Sequence, residues 1–260
     1  MTFLVQSSIE NRLLAAMPPE AFEAVRPHLE PVPLPLRGVL AEAGTPVPYV
    51  HFPLTGIAST TVTTGTGRRL EVGLFGRDGM SPSSILLGVD RTPYDTFMQV
   101  GGSALRAPTA AISEALYACP PLRDFLLRFA QIVVVQTAHT ALSNGAFKIE
   151  ARTARWLLMC HDRIDGDALP ITHEVLGIML GVRRSGVTDA MHVLEGAGIV
   201  RTRRGLIEIA DRAGLERIAG DSYGIPEAEY ERLIGPWRRG AARNGPCGPS
   251  GRVLQPLDAV

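Results

Sequence analysis

The sequence predicts an α+β protein with three parts: an N-terminal all-β barrel or sandwich, one long helix, and a C-terminal winged helix-turn-helix. Three observations predict it. Residues 39–105 carry short apolar runs, at 49–53, 57–62, 70–75 and 96–100, separated by Gly/Pro-rich turns such as Gly65-Thr66-Gly67 and Gly76-Arg77-Asp78-Gly79. Many short strands with regular punctuation belong to barrels and sandwiches. From Leu122 the apolar period changes to steps of three and four, which marks a helix. From Thr172 to Ile209 two short amphipathic segments joined at a glycine run into an arginine-bearing hairpin.

The bulk composition sets the frame. The chain has 260 residues, 45% hydrophobic and 20% charged, with 26 basic and 26 acidic residues. That is enough chain to bury a core without disulfides or metals. A formal net charge of zero means that any nucleic-acid site must come from local clustering of basic residues. Lys148 is the single lysine. Cys119, Cys160 and Cys247 are widely spaced, with no C-x-x-C pair, which excludes a zinc ribbon or a disulfide framework and fits the cytoplasm. No signal peptide and no membrane span are expected.

Residues 9–29 read as a short helical entry interrupted by Pro18-Pro19, and residues 9–118 as one domain. Pro120-Pro121 suits a helix start. Leu122, Phe125, Leu126, Phe129, Ile132, Val133, Gln136 and Thr140 then form one stripe. With Val133-Val134-Val135 the helix is apolar more than halfway round, so it needs two buried faces. One is expected on the barrel and the other, formed by this stripe, on a second copy of the chain; the alternative is an internal core helix. Asn144-Gly145 marks the expected hinge, closing a dimerisation segment at 119–145. The helix-turn-helix domain is expected at 146–222. Residues 236–260 are Gly/Pro/Arg-rich without apolar period and are expected to be disordered.

Thr172 is an N-cap just after Pro170, and Val175, Leu176, Met179 and Leu180 make a short amphipathic helix. Gly177 lies where a second helix must approach, and Gly181 supplies the left-handed residue of a tight turn. Val187, Ala190, Met191 and Leu194 face inward on the second helix. Its outer face holds Arg183, Arg184, Ser185, Thr188, Asp189 and His192. Cations at a helix N-terminus oppose the helix dipole, so Arg183 and Arg184 there imply an anionic partner. Arg184 is the expected base reader, with Ser185 and Asp189 beside it; Arg183 and Thr172 are expected near phosphate, and His173 and Thr188 are further candidate DNA-contact residues. The hairpin brings Arg201, Arg203 and Arg204 to its strand end and tip, as in a wing that grips the backbone or minor groove.

At residues 180–219, LGVRRSGVTDAMHVLEGAGIVRTRRGLIEIADRAGLERIA, the sequence resembles the Crp/Fnr family of transcription regulators. The resemblance spans roughly residues 10–235 and implies a jelly-roll β-roll of the cyclic-nucleotide-binding type, a homodimeric helix, and a winged helix that binds two-fold sites on double-stranded DNA. It also implies that Arg184 reads guanine. RNA polymerase is a further candidate partner. In the sensory half, Pro82 stands where cyclic-nucleotide binders carry the ribose-binding Glu, and Arg91 lies about one residue from the phosphate-arginine position. Cyclic AMP is therefore not the expected effector, and no cofactor is assigned. Ser81, Ser83, Ser84 and Arg91 remain candidate ligand residues. The N-terminal cysteines of Fnr-type oxygen sensors are absent, and His51, His139 and His161 lack ligand spacing. A winged helix used for protein contacts is the competing reading; no catalytic motif supports an enzyme.

Overall fold

The computed structural model describes residues 4–237. Two short helices, α1 (Arg12–Ala15) and α2 (Pro19–Val25), precede seven strands: β1 (Glu30–Leu34), β2 (Val39–Ala41), β3 (Tyr49–Pro53), β4 (Ile57–Thr63), β5 (Arg69–Phe75), β6 (Asp95–Val100) and β7 (Gly102–Pro108). They form two antiparallel sheets, β1-β7-β3 and β2-β6-β4-β5, closed over Leu34, Leu40, Ala58, Met98 and Ala104. The sheets make the expected β-roll. Helix α3 (Thr109–Ala118) leads into the long α4 (Pro120–Ala146).

Helix α4 runs without a break through Asn144-Gly145, so the expected hinge dipeptide is helical. The chain turns instead at Phe147-Lys148, both extended, before α5 (Ile149–His161). Strand β8 (Ala168–Leu169), α6 (His173–Leu180), α7 (Arg184–Gly196), β9 (Val200–Arg203) and β10 (Leu206–Ile209) follow, then α8 (Arg212–Ala219) and α9 (Ile225–Leu233). The small sheet is β8-β10-β9. Helix α9 lies past the expected end of the last domain and packs back on α4, with Tyr230 and Ile234 joining the β-roll core. Trp237 covers the guanidinium groups of Arg12 and Arg163 at 5.3 and 5.2 Å. The expected disordered tail, apart from Pro236 and Trp237, lies outside the described residues.

The stripe on α4 is used inside the protomer. Leu122, Phe125, Leu126, Phe129 and Ile132 are buried with Leu13, Phe22, Val50, Phe52 and Leu105. Gly79 makes room for this packing: a Cβ there would stand 2.8 Å from the Phe129 ring. Val133, Gln136 and Thr140 are half-buried, and Gln136 Oε1 accepts from the Leu74 amide. The expected dimer stripe is thus corrected to a core-facing stripe, because periodicity shows that a face is covered and not by what. Pro120–Ala146 is also long and apolar enough to span a bilayer, but this inward face is packed on the β-roll. The face left outside runs through Leu127, Gln131, Val134, Ala138, Ala141 and Gly145, in alternating steps of four and three.

The winged-helix half does not hang free. Its core of Trp156, Leu157, Leu180, Val187, Leu194 and Ile207 is continuous with Ile57 and Leu74 of the β-roll. Successive residues of a strand face opposite sides. Val72 therefore faces the roll's cavity, while Glu71 faces the other side and accepts from Trp156 Nε1 at 2.8 Å and Ser59 Oγ at 2.5 Å. Next to it, Arg163, 1% exposed, clamps Asp78 with bonds of 2.9 and 2.7 Å. Arg77 grips Asp165 with two bonds of 3.0 Å, and Arg12 donates to the Asp162 carbonyl.

Asp78→Ala should cost about 3–5 kcal/mol, because it strands a fully buried guanidinium; a loss under about 1 kcal/mol in urea unfolding would show that Arg163 finds another partner. Burial pushes Glu71 up to about 7 from 4.5, against the opposing pull of the Ser59 and Trp156 hydrogen bonds. Folding therefore favours protonated Glu71. Its contribution is fully present below pH 4.5 and lost as the pH rises through about 7, a swing on the order of 3 kcal/mol. Glu71→Gln should flatten the stability profile between these limits and be the more stable form at pH 8; a slope equal to the parent's would clear Glu71 of the effect.

Candidate nucleic-acid interface and β-roll cavity

Helix α6 begins where Thr172 Oγ1 accepts from the Val175 amide at 3.2 Å and ends at Gly181, whose φ of +65° is the left-handed cap. Arg152 donates to the Leu180 carbonyl, supplying a partner that the last turn lacks. A Cβ on Gly177 would lie 3.1 Å from the Val182 carbonyl oxygen, so the close crossing of α6 and the turn requires a glycine. Val187, Ala190, Met191 and Leu194 hold α7 against this frame. The spacing read from the sequence is a helix-turn-helix in space.

On α7, Arg184, Ser185, Asp189 and His192 lie on the outer face; Arg183 is its exposed N-cap residue. Thr188 Oγ1 donates to the Arg184 carbonyl and meets His173 Nδ1 at 3.3 Å. Its hydroxyl hydrogen is thereby committed to the helix, whereas Thr172, as an acceptor in its cap, keeps its own hydrogen for a further partner. Burial, foremost, holds His173 below the usual histidine range, so its half-buried ring is neutral near pH 7.

The wing is the hairpin β9–β10, paired Arg203↔Leu206 across the turn Arg204-Gly205, with Gly205 at φ +74°. Arg201, Arg203 and Arg204 are exposed. Arg201 has a loose contact with Glu208 at 3.8 Å, while Arg183, Arg184, Arg203 and Arg204 have no ion-pair partner among the described residues. Glu195, which sequence reading passed over, ties α7 to the wing: its carboxylate accepts from the Thr202 amide at 2.8 Å and from Thr202 Oγ1. These hydrogen bonds from Thr202 are the leading cause that holds it below the usual carboxylate range. A lone Glu at the end of an amphipathic helix gives no sequence signal for this role.

The β-roll encloses a cavity of about 300 Å³ between β4, β5, β6 and α4. Ser81, Ser83 and Ser84 line it, with Pro82 between them. Arg91 does not: it is exposed, bridges to Pro46 and touches Asp90 at 3.3 Å. The structure therefore separates the expected arginine from the serines. Phe75, Tyr94, Thr96 and Thr92, missed in the sequence, complete the lining. No cluster of three or more His, Cys, Asp or Glu suited to a metal exists among the described residues.

Residues 151–218 match the Crp-like helix-turn-helix domain. Among solved structures, the chain is similar to a protein of Eubacterium rectale ATCC 33656 assigned to the crp/fnr family of transcriptional regulators, at TM-score 0.62 and 16% identity over 80% of this chain and 97% of that one. FixK2 of Bradyrhizobium japonicum matches at TM-score 0.62 and 16% identity, over 74% and 98%. A CRP/FNR-family transcriptional regulator of Thermus thermophilus matches at 0.53 and 17%, over 73% and 98%. A search of curated proteins finds no match. Likeness at these identities carries the fold, and the domain match carries the helix-turn-helix. Residues 151–218 are thus a Crp-like helix-turn-helix domain, and the described chain has the fold of the Crp/Fnr structures.

Proposed function

We propose that this chain is a Crp/Fnr-type transcription regulator that binds DNA sequence-specifically as a homodimer, and that occupancy of its β-roll cavity tunes the affinity. The observation that carries the reading is the arginine set. Among the described residues, Arg183 and Arg184 stand exposed without an ion-pair partner at the start of α7, and Arg203 and Arg204 do the same on the adjoining wing. Charges of one sign at a helix start, kept without a protein counter-ion, fit an anionic surface. Arg184 is assigned a bidentate contact to a guanine edge, with Ser185 and Asp189 shaping neighbouring base preferences. Arg183, Thr172, Arg201, Arg203 and Arg204 are assigned to phosphate and the wing groove. His173 and Thr188 hold α6 and α7 in register.

The second protomer is assigned to the outer face of α4. Leu127, Val134, Ala138, Ala141 and Gly145, with Gln131 among them, have the alternating four- and three-residue spacing of a coiled-coil seam. Small residues toward the C-terminal end allow the two helices to approach closely there. This seam replaces the inward stripe as the dimer surface. Regulation through the cavity is supported by its walls. They belong to α4 and to β5, and β5 also supports the recognition unit: Leu70 touches Gly181, and Glu71 holds Trp156.

Arg184→Ala should weaken binding to a selected operator by about 1–3 kcal/mol while barely changing affinity for random DNA; equal losses on both in fluorescence anisotropy would remove the base-reading role. Selection from random duplexes should return inverted half-sites about one helical turn apart. Val134→Glu with Ala138→Glu should sediment as a folded monomer, because both positions are outside the protomer core. A stable dimer in that double variant would place the interface elsewhere.

A further inference from the structure

The cavity in the β-roll has a chemical character of its own. Building on the proposed regulatory role of this cavity, we infer that it takes an uncharged, mostly apolar ligand of about two rings with one hydrogen-bonding group, and that it rejects nucleotides and other anions.

Charge decides the first half. Among the described residues lining the cavity, none is Lys, Arg or His. Asp78 is the one carboxylate, and both its oxygens are already taken, by Arg163 at 2.9 and 2.7 Å and by the Gly76 amide at 2.8 Å. An entering anion would meet a committed acid and no cation. Burying such a charge without a counter-ion costs several kcal/mol. Arg77, next to Asp78 in sequence, is engaged by Asp165, and Arg91 is on the outer surface against Asp90. The segment Ser83–Leu87 is a short 3₁₀ helix, too short to gather the dipole of a longer helix.

Polarity and shape decide the second half. Phe75, Phe129, Ile132, Val133, Met80 and Val72 give an apolar lining. A dry apolar cavity of roughly 150 Å³ accommodates a single benzene ring, so about 300 Å³ suits two. The hydroxyls of Thr60 and Thr96 hydrogen-bond each other at 3.1 Å. Ser84 is a lining residue, and its buried Oγ has no hydrogen-bond partner among the described residues. A buried hydroxyl is both donor and acceptor and is costly to leave unmade. A ligand hydroxyl or carbonyl placed against Ser84, with its rings against Phe129 and Val133, meets both demands. Such a ligand would touch α4 and β5 together.

The test uses the full-length protein at pH 7 and isothermal titration with three probes: 2-naphthol, which is neutral, its anionic isostere 2-naphthoate, and cyclic AMP. Saturable binding of 2-naphthol is expected, with both anions about tenfold weaker or more. Ser84→Ala should weaken 2-naphthol about five- to tenfold. Val133→Trp should fill the space and abolish binding, and Leu87→Trp, at the exposed mouth, should block it without disturbing the core. Anions binding as well as 2-naphthol, no binding of 2-naphthol, or binding untouched by all three variants would each overturn the inference. Operator affinity of the same samples separates the two claims. If 2-naphthol occupies the cavity and DNA binding does not move, the ligand class stands and the regulatory reading falls.

Discussion

The fold turns on one buried ion pair. Arg163 follows α5 in the winged-helix half, Asp78 sits in a β-roll turn, and their two hydrogen bonds lie out of water. Burial pulls the Arg163 pKa down, and Asp78 and Asp162 more than offset it, leaving it raised. Such a pair adds little net stability compared with apolar packing, but neither partner can be left alone. It therefore acts as a register mark: the two halves meet with these groups aligned or pay for two buried charges. Around it, Arg77–Asp165, Arg12 on the Asp162 carbonyl, and the Trp237 ring all repeat the same alignment. The N-terminal helix, a strand turn, the winged helix and the chain beyond α9 converge on one small cluster of charge.

That alignment gives α4 two faces. Its inner face completes the β-roll core and one wall of the cavity, and its outer face, through Leu127, Val134 and Ala138, stays exposed in the protomer. Gly79 permits the first by letting the Phe129 ring lie on the turn that carries Asp78. The ion pair, the cavity and the long helix are thus neighbours. Phe129 and Val133, which line the cavity, lie on the helix one step from the pair that holds the winged-helix half in place. Packed interiors respond to pressure by shifting between discrete arrangements instead of deforming smoothly.

Glu71 adds a second tie with different physics. Its carboxyl is buried between Ser59 and Trp156, so the docked arrangement prefers it protonated. The Arg163–Asp78 pair demands two charges and Glu71 demands none. The interface between the halves is therefore firm in geometry yet sensitive to conditions near neutrality.

Much of this was legible in the residues. The Gly/Pro punctuation gave the β-roll, the step of three and four gave α4, and Gly177, Gly181 and the apolar plugs placed the helix-turn-helix, because those patterns are local consequences of backbone geometry. The arginines of α7 and the wing were legible for the same reason: they sit at fixed offsets from the turn. Only the tertiary structure decided what covers each face. The stripe from Leu122 to Ile132 turned inward, leaving Leu127, Val134 and Ala138 outside, because a helix of this kind has two apolar faces and sequence spacing does not rank them. Arg91 and the serines separated because one residue of offset on an extended segment reverses the direction of a side chain. Asp78 with Arg163, and Glu71 with Trp156, are 85 positions apart in each case. No local pattern reports such a pairing, since it is set by how two surfaces distant in sequence fit together.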